Sequence, residues 1–380
     1  MPDILSPTRY DLIVVGAGII GLAHAYVAAQ AGLRVCVAER DAKAVGASIR
    51  NFGFITVTGQ QRGEFHAMAR RTAEVWREAA ARFDLPIAHN GLYMCVRRPE
   101  AETVLDAFLA TEMGEGCRRM RPQDVGLPLS DAVSAVLHSP HDLRVESRDV
   151  LPRLVEGLTD AFGVDFFFNT AVTGIEEGYV ETAAGRLHGR RIVVCPGDNL
   201  SGLYRDRLAA YGIGRCKLQM LRLESPGFRL PGAVMSDLGL LRYPGYAERP
   251  EAEALRRVVQ AEQPEHLRDG VHLIVVQSAD GSLIVGDSHD YADPATPFSS
   301  EAVDRLILDE YRHVLGQPPA VRERWIGTYA TAPGHQFIID RPAPDVRLVV
   351  VTCGAGASTS FGLAEKTLAD MGIETHAHSH

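Results

Sequence analysis

The apolar residues near the start of the chain have first the pattern of a strand, then that of a helix, and then that of a second strand. Residues 12–15 form a short apolar run rich in β-branched side chains, which is the composition of a strand buried on both faces. Residues 19–31 predict a helix that ends near Gly32, and residues 34–38 predict a second strand. A strand, a helix and a second strand in this order predict the start of a parallel α/β sheet.

The apolar pattern further along the chain predicts two kinds of structure. Amphipathic helices and short strands continue to about residue 197, and strands and turns dominate residues 215–285. The predicted helices cover residues 61–83, 99–113 and 148–162, a segment after Ser300, and a last helix that reaches Ala369. The predicted strands cover residues 89–96, 164–173, two strands around 184–185, 191–197, 217–223, 240–243, 271–277, 282–286 and 347–352. We therefore predict an α/β fold with a parallel sheet, joined to a second, mostly antiparallel sheet of the α+β kind.

Three glycines separate the first predicted strand from the first helix. Gly16 permits the tight turn, Gly18 lets a pyrophosphate approach the backbone, and Gly21 lets the helix pack closely on the strand. The positive N-terminus of the helix would face the phosphates. Glu39 follows Gly21 by 18 residues, where a carboxylate can accept hydrogen bonds from ribose hydroxyls. Together these features predict a dinucleotide site, against the alternative of a glycine turn without a ligand.

Composition and charge limit the possible partners. The chain has 380 residues, enough for two domains with substantial cores. Its 39 basic and 48 acidic residues give a formal net charge of −9, which argues against nucleic acid as a partner because phosphate binding needs a basic face. An anionic substrate must then be held by local Arg, Lys or His side chains. No apolar run is long enough to span a membrane, and the N-terminus lacks a secretion signal, so we expect a cytoplasmic protein.

Cysteine and histidine positions do not indicate a metal site. The six cysteines are widely scattered without a C-x-x-C pair, so neither a zinc site nor a disulfide framework is predicted. We interpret His376, His378 and His380 as part of a frayed polar tail rather than as metal ligands.

A second glycine-rich turn follows the last predicted strand. Residues 353–360 contain Gly354 and Gly356 between a buried-type strand and a helix, far along the chain from the first glycine turn. Both ends of the chain are therefore predicted to build one binding domain. We assign residues 1–60, 145–210 and 322–380 to this discontinuous domain, and residues 61–144 and 211–321 to a substrate domain.

The layout from residue 10 to residue 369 resembles the D-amino-acid oxidase family of FAD-dependent oxidoreductases, which includes sarcosine and glycine oxidases. The resemblance implies a Rossmann-like FAD-binding domain and a small-molecule amine substrate, whose electrons pass through FAD to oxygen or another acceptor. It implies that the cofactor is bound by Gly16, Gly18, Ile19, Ile20, Gly21, Glu39, Arg40, Ser48, Arg50, Asn51, Phe52, Val172, Gly197, Gly354, Gly356, Ala357, Ser358 and Thr359. The turn at residues 354–359 would lie at the pyrimidine edge of the flavin, where a helix N-terminus stabilises developing negative charge.

Three positions depart from the pattern of this family. Tyr329 stands where many members carry the Arg of a Gly-x-Arg-Pro turn that binds the substrate carboxylate. Gly327 stands at about the position where sarcosine oxidases attach FAD through a cysteine, so we expect non-covalent FAD. Ile284 stands where sarcosine oxidases carry a lysine that assists the reaction with oxygen, which keeps a dehydrogenase as an alternative to an oxidase.

Three short motifs, at residues 48–53, 286–289 and 354–359, resemble the clade of this family that is associated with organophosphonate breakdown. This resemblance implies oxidation of 2-aminoethylphosphonate or its N-methyl or hydroxy relatives, with hydride transfer to flavin N5 and hydrolysis of the imine to an aldehyde. One alternative is an oxidase or dehydrogenase of sarcosine, glycine or D-amino acids. The other is a NAD-binding Rossmann protein.

Candidate residues for the substrate pocket are polar side chains, among which arginine suits a phosphonate because its guanidinium offers paired donors. For each candidate, the alternative is a structural ion pair or a core polar group whose hydrogen bonds are satisfied. The candidates are Arg50, Arg242, Tyr243, His289, Tyr329 and His335.

Overall fold

The computed structural model describes residues 9–291 and 294–375. The predictions that concern the first eight residues and His376, His378 and His380 lie outside the described residues. Within the described ranges the chain forms 17 strands and 12 α-helices. None of these helices is both long enough and apolar enough to cross a membrane.

The secondary structure begins with the predicted strand, helix and strand. The strands are β1 (Arg9–Val15), β2 (Val35–Ala38), β3 (Phe54–Ile55), β4 (Ile87–Val96), β5 (Arg118–Met120), β6 (Ala135–Val145), β7 (Asp165–Phe167), β8 (Val172–Glu176), β9 (Tyr179–Thr182), β10 (Gly185–Val194), β11 (Gly214–Leu223), β12 (Ala233–Ser236), β13 (Ile274–Gln277), β14 (Leu283–Gly286), β15 (Val321–Thr331), β16 (Phe337–Ala343) and β17 (Val346–Val351). The helices are α1 (Ile19–Gln30), α2 (Ala47–Arg50), α3 (Glu64–Phe83), α4 (Pro99–Leu109), α5 (Ser147–Phe162), α6 (Arg205–Ala210), α7 (Gly239–Arg242), α8 (Pro244–Ala247), α9 (Ala252–Glu262), α10 (Pro264–Arg268), α11 (Glu301–Leu315) and α12 (Gly356–Asp370).

The first sheet has the N-terminal strand near its centre. Its strands lie in the order β16-β17-β10-β1-β2-β7, and β9 and β8 extend it beside β10. β1 pairs in parallel with both β2 and β10, as in a doubly wound α/β sheet. Helix α1 is buried on nearly all sides, since ten of its twelve residues are buried, and it packs against α12. The N-terminal and C-terminal segments therefore build one core together, as the two glycine turns predict.

The second sheet has the strand order β15-β11-β14-β13-β12-β4-β6-β3, with β5 beside β6. Its neighbouring strands are antiparallel apart from the parallel pair β12 and β4. This arrangement confirms the predicted second, mostly antiparallel sheet. The long ladder between β11 and β15 places Tyr329 opposite Cys216, which fixes the backbone position of Tyr329 next to the site described below.

Two predicted strands are wrong. Residues 240–243 belong to helix α7 and the residue after it, and only Leu240 among them is buried, because a run of four residues cannot distinguish a helical turn from a strand. Residues 164–173 contain β7 and the start of β8 instead of one strand. Asn169 turns the chain between them in a left-handed backbone conformation, with φ of 52°.

The strand pairing does not follow the predicted domain segments everywhere. β3 and β15 lie in segments predicted for the cofactor domain, yet both pair with strands of the second sheet. Helix α3, which lies in a segment predicted for the substrate domain, packs against α12 in the core of the first sheet. The domain boundaries themselves stay a prediction.

A fully buried arginine, Arg144 on β6, connects strand β13 of the second sheet to the segment that precedes β3. Arg144 donates to the carbonyl of Phe52 (3.2 Å), to the carbonyl of Gln277 (3.1 Å) and to Oε2 of Glu146 (2.7 Å). We expect Arg144→Met to lower the free energy of unfolding by about 3–5 kcal/mol, because it removes the ion-pair partner of Glu146 and a buried donor to two carbonyls. Urea unfolding followed by fluorescence and circular dichroism measures this loss.

The control for this prediction is Arg186→Met, which removes an exposed pair with Glu181. Exposed ion pairs contribute little, so we expect a loss of less than about 1 kcal/mol. Equal losses for the two variants would contradict the role given to Arg144.

Candidate active site

A cavity of about 370 Å³ lies between the two sheets. One wall consists of the starts of α1 and α12 and the chain around Ser48. The remaining lining comes from the second sheet and helix α7 and includes Arg242 and Tyr329. The Tyr329 ring lies close to the second glycine turn, since a Cβ atom on Gly354 would lie 3.2 Å from it. The cavity therefore joins the two glycine turns to a polar surface.

The first glycine turn is tightly fixed at the edge of the first sheet. Gly16 has a φ of 106°, and a Cβ atom on Gly21 would lie 1.9 Å from the carbonyl oxygen of Gly16. The carboxylate of Glu39 accepts a hydrogen bond from the N–H of Ala17 at 2.7 Å, and the hydroxyl of Ser48 accepts one from the N–H of Ile19 at 2.9 Å. The turn can thus bring its backbone close to a ligand without a side chain in between.

The second glycine turn lies directly beside the first. A Cβ atom on Gly356, at the start of α12, would lie 3.8 Å from Cδ1 of Ile20, at the start of α1. The turn is anchored by the indole of Trp76, which donates to the carbonyl of Ala357 (3.1 Å), and by Ser358, whose hydroxyl accepts from the N–H of Thr56 (2.9 Å). Two helix N-termini therefore face one cavity, an arrangement that favours negatively charged groups.

The polar wall of the cavity carries an arginine that is hydrogen-bonded to a tyrosine. Arg242 donates from Nη2 to the hydroxyl of Tyr329 at 2.9 Å, and its guanidinium carbon lies 5.9 Å from the ring centre of Tyr291. Burial raises the pKa of Tyr329 well above its usual value. The hydroxyl therefore stays neutral, and it restrains the guanidinium while leaving its other N–H donors for a ligand.

Beside Arg242 lies a compact group of two histidines and one aspartate, His272, Asp287 and His289, whose nearest polar atoms all lie within 4.8 Å of one another. All three line the cavity and are buried. Burial raises the pKa of Asp287 to about 7, although Arg242 opposes this, and burial and Arg242 lower the pKa of His272 to about 3. Burial also lowers the pKa of His289 well below its usual value. At neutral pH the group thus offers mainly hydrogen-bond acceptors and could hold a cation.

Most residues predicted from the sequence meet at this cavity. The predicted pocket residues that line it are Arg242, Tyr243, His289, Tyr329 and His335. The predicted cofactor residues that line it are Gly18, Ile19, Ile20, Gly21, Ser48, Asn51, Phe52, Gly197, Gly354, Gly356, Ala357 and Ser358. Residues that are up to hundreds of positions apart in the chain are therefore brought to one place.

The other predicted residues lie outside the cavity lining of the described chain. Gly16 is part of the first turn, and Glu39 accepts a hydrogen bond from the N–H of Ala17 in that turn. The hydroxyl of Thr359 donates to the carbonyl of Ala355 at the start of α12. Arg40 is exposed beside Asp41, and Val172 is half-buried on β8.

Two residues with a predicted chemical role lie elsewhere. Arg50 is exposed, and its Nε donates to the carbonyl of Val45 at 2.8 Å, so its side chain is not part of the cavity wall. Ile284 is buried in the apolar core of the second sheet rather than at the cavity. Arg50 is the last residue of the short helix α2, and its side chain turns back to the carbonyl of Val45, which a motif position alone does not predict.

Sequence reasoning missed His272, Asp287 and Tyr291 as cavity residues. His272 lies within residues 271–277, which were interpreted only as a strand, and Asp287 directly follows the buried strand β14. The motif at residues 286–289 contains Asp287, and polar residues next to an apolar strand were a second signal, but neither signal tells which strand ends meet.

These features define a class of protein, a dinucleotide-binding α/β protein with a second, mostly antiparallel sheet. The family model for the FAD dependent oxidoreductases called DAO matches residues 11–371. The chain therefore belongs to the DAO family of FAD-dependent oxidoreductases, and its cofactor is FAD. The alternative of a NAD-binding protein is wrong. The residues present fit FAD, since two helix N-termini and a glycine turn without side chains suit its pyrophosphate.

Solved structures with a similar fold cover nearly the whole chain. Glycine oxidase from Geobacillus kaustophilus has a TM-score of 0.72 and 17% identity over 97% of this chain and 96% of that one. L-proline dehydrogenase from P. horikoshii has a TM-score of 0.75 and 16% identity over 97% and 95%. L-alpha-glycerophosphate oxidase from Mycoplasma pneumoniae, solved with FAD bound, has a TM-score of 0.71 and 14% identity over 98% and 97%. A search of curated protein sequences gave no significant match.

Proposed function

We propose that the protein oxidises a small amine that carries an anionic group. The observation that carries the proposal is Arg242, a cation that lines the cavity and is held by the hydroxyl of Tyr329. When bound, FAD supplies the redox chemistry by accepting a hydride at flavin N5 from the carbon next to the nitrogen. The resulting imine hydrolyses to an aldehyde.

The residues of the cavity bind and orient the substrate. Arg242 binds its anionic group through charged hydrogen bonds, and Tyr329 keeps the guanidinium in position. Most side chains of this polar lining are buried, which strengthens these interactions and keeps the reacting carbon in place. Little further acid–base chemistry is needed beyond removal of a proton from the ammonium group.

The substrate class that we favour is the aminophosphonates, such as 2-aminoethylphosphonate and its N-methyl or hydroxy relatives. Tyr329 replaces the family's carboxylate-binding arginine, so the anionic group has to be held elsewhere, and Arg242 is available. A phosphonate carries up to two negative charges, and a protein of net charge −9 must neutralise them locally. The resemblance of three short motifs to the phosphonate-associated clade points the same way.

A second candidate is an oxidase or dehydrogenase of sarcosine, glycine or D-amino acids. Arg242 could bind a carboxylate as well as a phosphonate, because both accept paired hydrogen bonds from a guanidinium. Two of the similar structures are named as a glycine oxidase and an L-proline dehydrogenase. We propose that either oxygen or another electron acceptor reoxidises the flavin, and that the protein is located in the cytoplasm.

Steady-state kinetics with a small panel tests the substrate class. We expect kcat/KM to be highest for 2-aminoethylphosphonate or its N-methyl form, and lower for glycine, sarcosine and D-alanine. Trapping the aldehyde distinguishes the two routes, because deamination yields a phosphonate aldehyde whereas N-demethylation yields formaldehyde. A higher kcat/KM for glycine or a D-amino acid would replace the aminophosphonate proposal by the amino-acid alternative.

We predict that FAD is bound without a covalent link. The thiols that line the cavity are Cys195 and Cys353, and burial raises the pKa of both, to about 11 for Cys353. Neutral thiols are poor nucleophiles, and Gly327 occupies the position of the attachment cysteine of sarcosine oxidases. Acid precipitation should therefore release all of the flavin into the supernatant, where chromatography identifies it as FAD. Yellow colour that stays with the precipitate would contradict this prediction.

A further inference from the structure

Polar atoms of the two histidines and the aspartate beside Arg242 face one another. Nδ1 of His289 lies 2.8 Å from the carbonyl oxygen of Gly270. A carbonyl can only accept, so Nδ1 carries the proton of this ring, and Nε2 presents a lone pair. Nε2 lies 3.8 Å from Oδ2 of Asp287, and this distance is too long for a direct hydrogen bond.

Among the described residues, three buried polar atoms of His272 and Asp287 lack a hydrogen-bond partner. Nδ1 of His272 lies 3.4 Å from Oδ1 of Asp287, yet within the described chain neither ring nitrogen of His272 nor this oxygen has a hydrogen-bond partner. His272, Asp287 and His289 are each more than nine-tenths buried. Leaving buried polar atoms unpaired is costly, so this group is one that a bound ligand with several donors would complete.

An ammonium group supplies the hydrogen-bond donors that these acceptor atoms require. It carries three N–H donors and one positive charge, and the group offers a carboxylate and the Nε2 lone pair of a neutral imidazole. We propose that Asp287, His289 and His272 form the binding site for the ammonium or amine group of the substrate. This inference rests on the proposed amine oxidation, and it separates the two ends of the substrate, with the nitrogen at Asp287 and the anionic group at Arg242.

Charge balance favours an ammonium over a metal ion at this place. Asp287 is the one carboxylate of the group, and Arg242 already lies beside it. A divalent metal would leave a buried site with a large excess of positive charge. A substrate with one ammonium and one anionic group balances both Asp287 and Arg242. A metal ion is therefore the competing result that the test must be able to detect.

The test compares two ligands that differ only at the nitrogen. In 2-aminoethylphosphonate an amino group stands where propylphosphonate has a methyl group. The affinity of the anaerobic holoenzyme for 2-aminoethylphosphonate is obtained from the concentration dependence of flavin bleaching. Its affinity for propylphosphonate is obtained from the shift of the flavin spectrum. We expect wild type to bind the amine at least tenfold more tightly, and Asp287→Asn to lose at least tenfold for the amine but less than twofold for propylphosphonate.

Controls separate this inference from the proposed function. Asp269→Asn, at a neighbouring carboxylate that pairs with Arg268 outside the cavity, should change neither affinity. His289→Gln serves the same comparison if Asp287→Asn does not retain FAD. Equal losses for both ligands, or no loss, would overturn the ammonium site, as would one equivalent of metal in the wild-type holoenzyme that the variant lacks. Wild-type flavin that no amine bleaches would instead refute the proposed function.

Discussion

Replacing Gly21 by valine should yield a folded protein that retains less than about a tenth of its FAD, because the third glycine of the turn governs how closely helix and strand pack at the pyrophosphate. A Cβ atom at this position would lie 1.9 Å from the carbonyl oxygen of Gly16 and 3.2 Å from Cγ1 of Val14. The start of α1 would have to move away from β1, and the two helix N-termini would no longer face the cavity together. Flavin absorbance per polypeptide after purification measures the loss.

The matched control for this prediction is Gly214→Val. Gly214 has ordinary backbone angles at the start of β11, and an added Cβ there meets no atom within 4 Å. This variant should retain its FAD, and the far-ultraviolet circular dichroism of both variants should remain close to that of wild type. Full FAD content in Gly21→Val would contradict the placement of the pyrophosphate at the first turn.

Replacing Arg242 by methionine should lower kcat/KM by about 2–5 kcal/mol, roughly 30-fold or more, if its guanidinium makes a charged hydrogen bond to the substrate anion. FAD content should not change, because Arg242 belongs to helix α7 and is part of neither glycine turn. Arg242→Lys should recover part of the loss, since a lysine restores the charge but not the paired donors. Steady-state kinetics with the best amine of the panel provides the measurement.

Two further arginines calibrate the effect of Arg242. Arg257→Met, on the exposed side of α9, should leave kcat/KM within about twofold of wild type, as is usual for exposed surface positions. Arg50→Met should lose less than Arg242→Met, because Arg50 points away from the cavity. A larger loss at Arg50 than at Arg242 would show that the anion binds near Arg50 rather than at Arg242.

The cofactor half of the site could be predicted from the sequence because its signals are local. The turn from Gly16 to Gly21 needs particular residues at fixed spacing, and Glu39 follows at the distance that one helix and one strand impose. The turn at Gly354 has the same local character. Both turns line or support the cavity at the starts of α1 and α12.

The substrate half could be predicted only in part, because it depends on which distant segments meet. Arg50 and Arg242 were equal candidates from the sequence, and only the tertiary structure distinguishes the exposed one from the one at the cavity. The short run at residues 240–243 has no periodicity that identifies α7 as a helix. His272 and Asp287 belong to separate strand ends whose meeting is set by sheet order.

Anaerobic bleaching of the flavin shows whether the bound FAD oxidises an amine rather than an alcohol. The purified holoenzyme is mixed without oxygen with 2-aminoethylphosphonate, its N-methyl form, glycine or D-alanine, and separately with 2-hydroxyethylphosphonate. Oxidised flavin absorbs at ~450 nm. We predict that at least one amine abolishes this absorbance, that an aminophosphonate does so fastest, and that the hydroxyl compound leaves it unchanged. Bleaching by the hydroxyl compound alone, or by none of the amines, would contradict the claim.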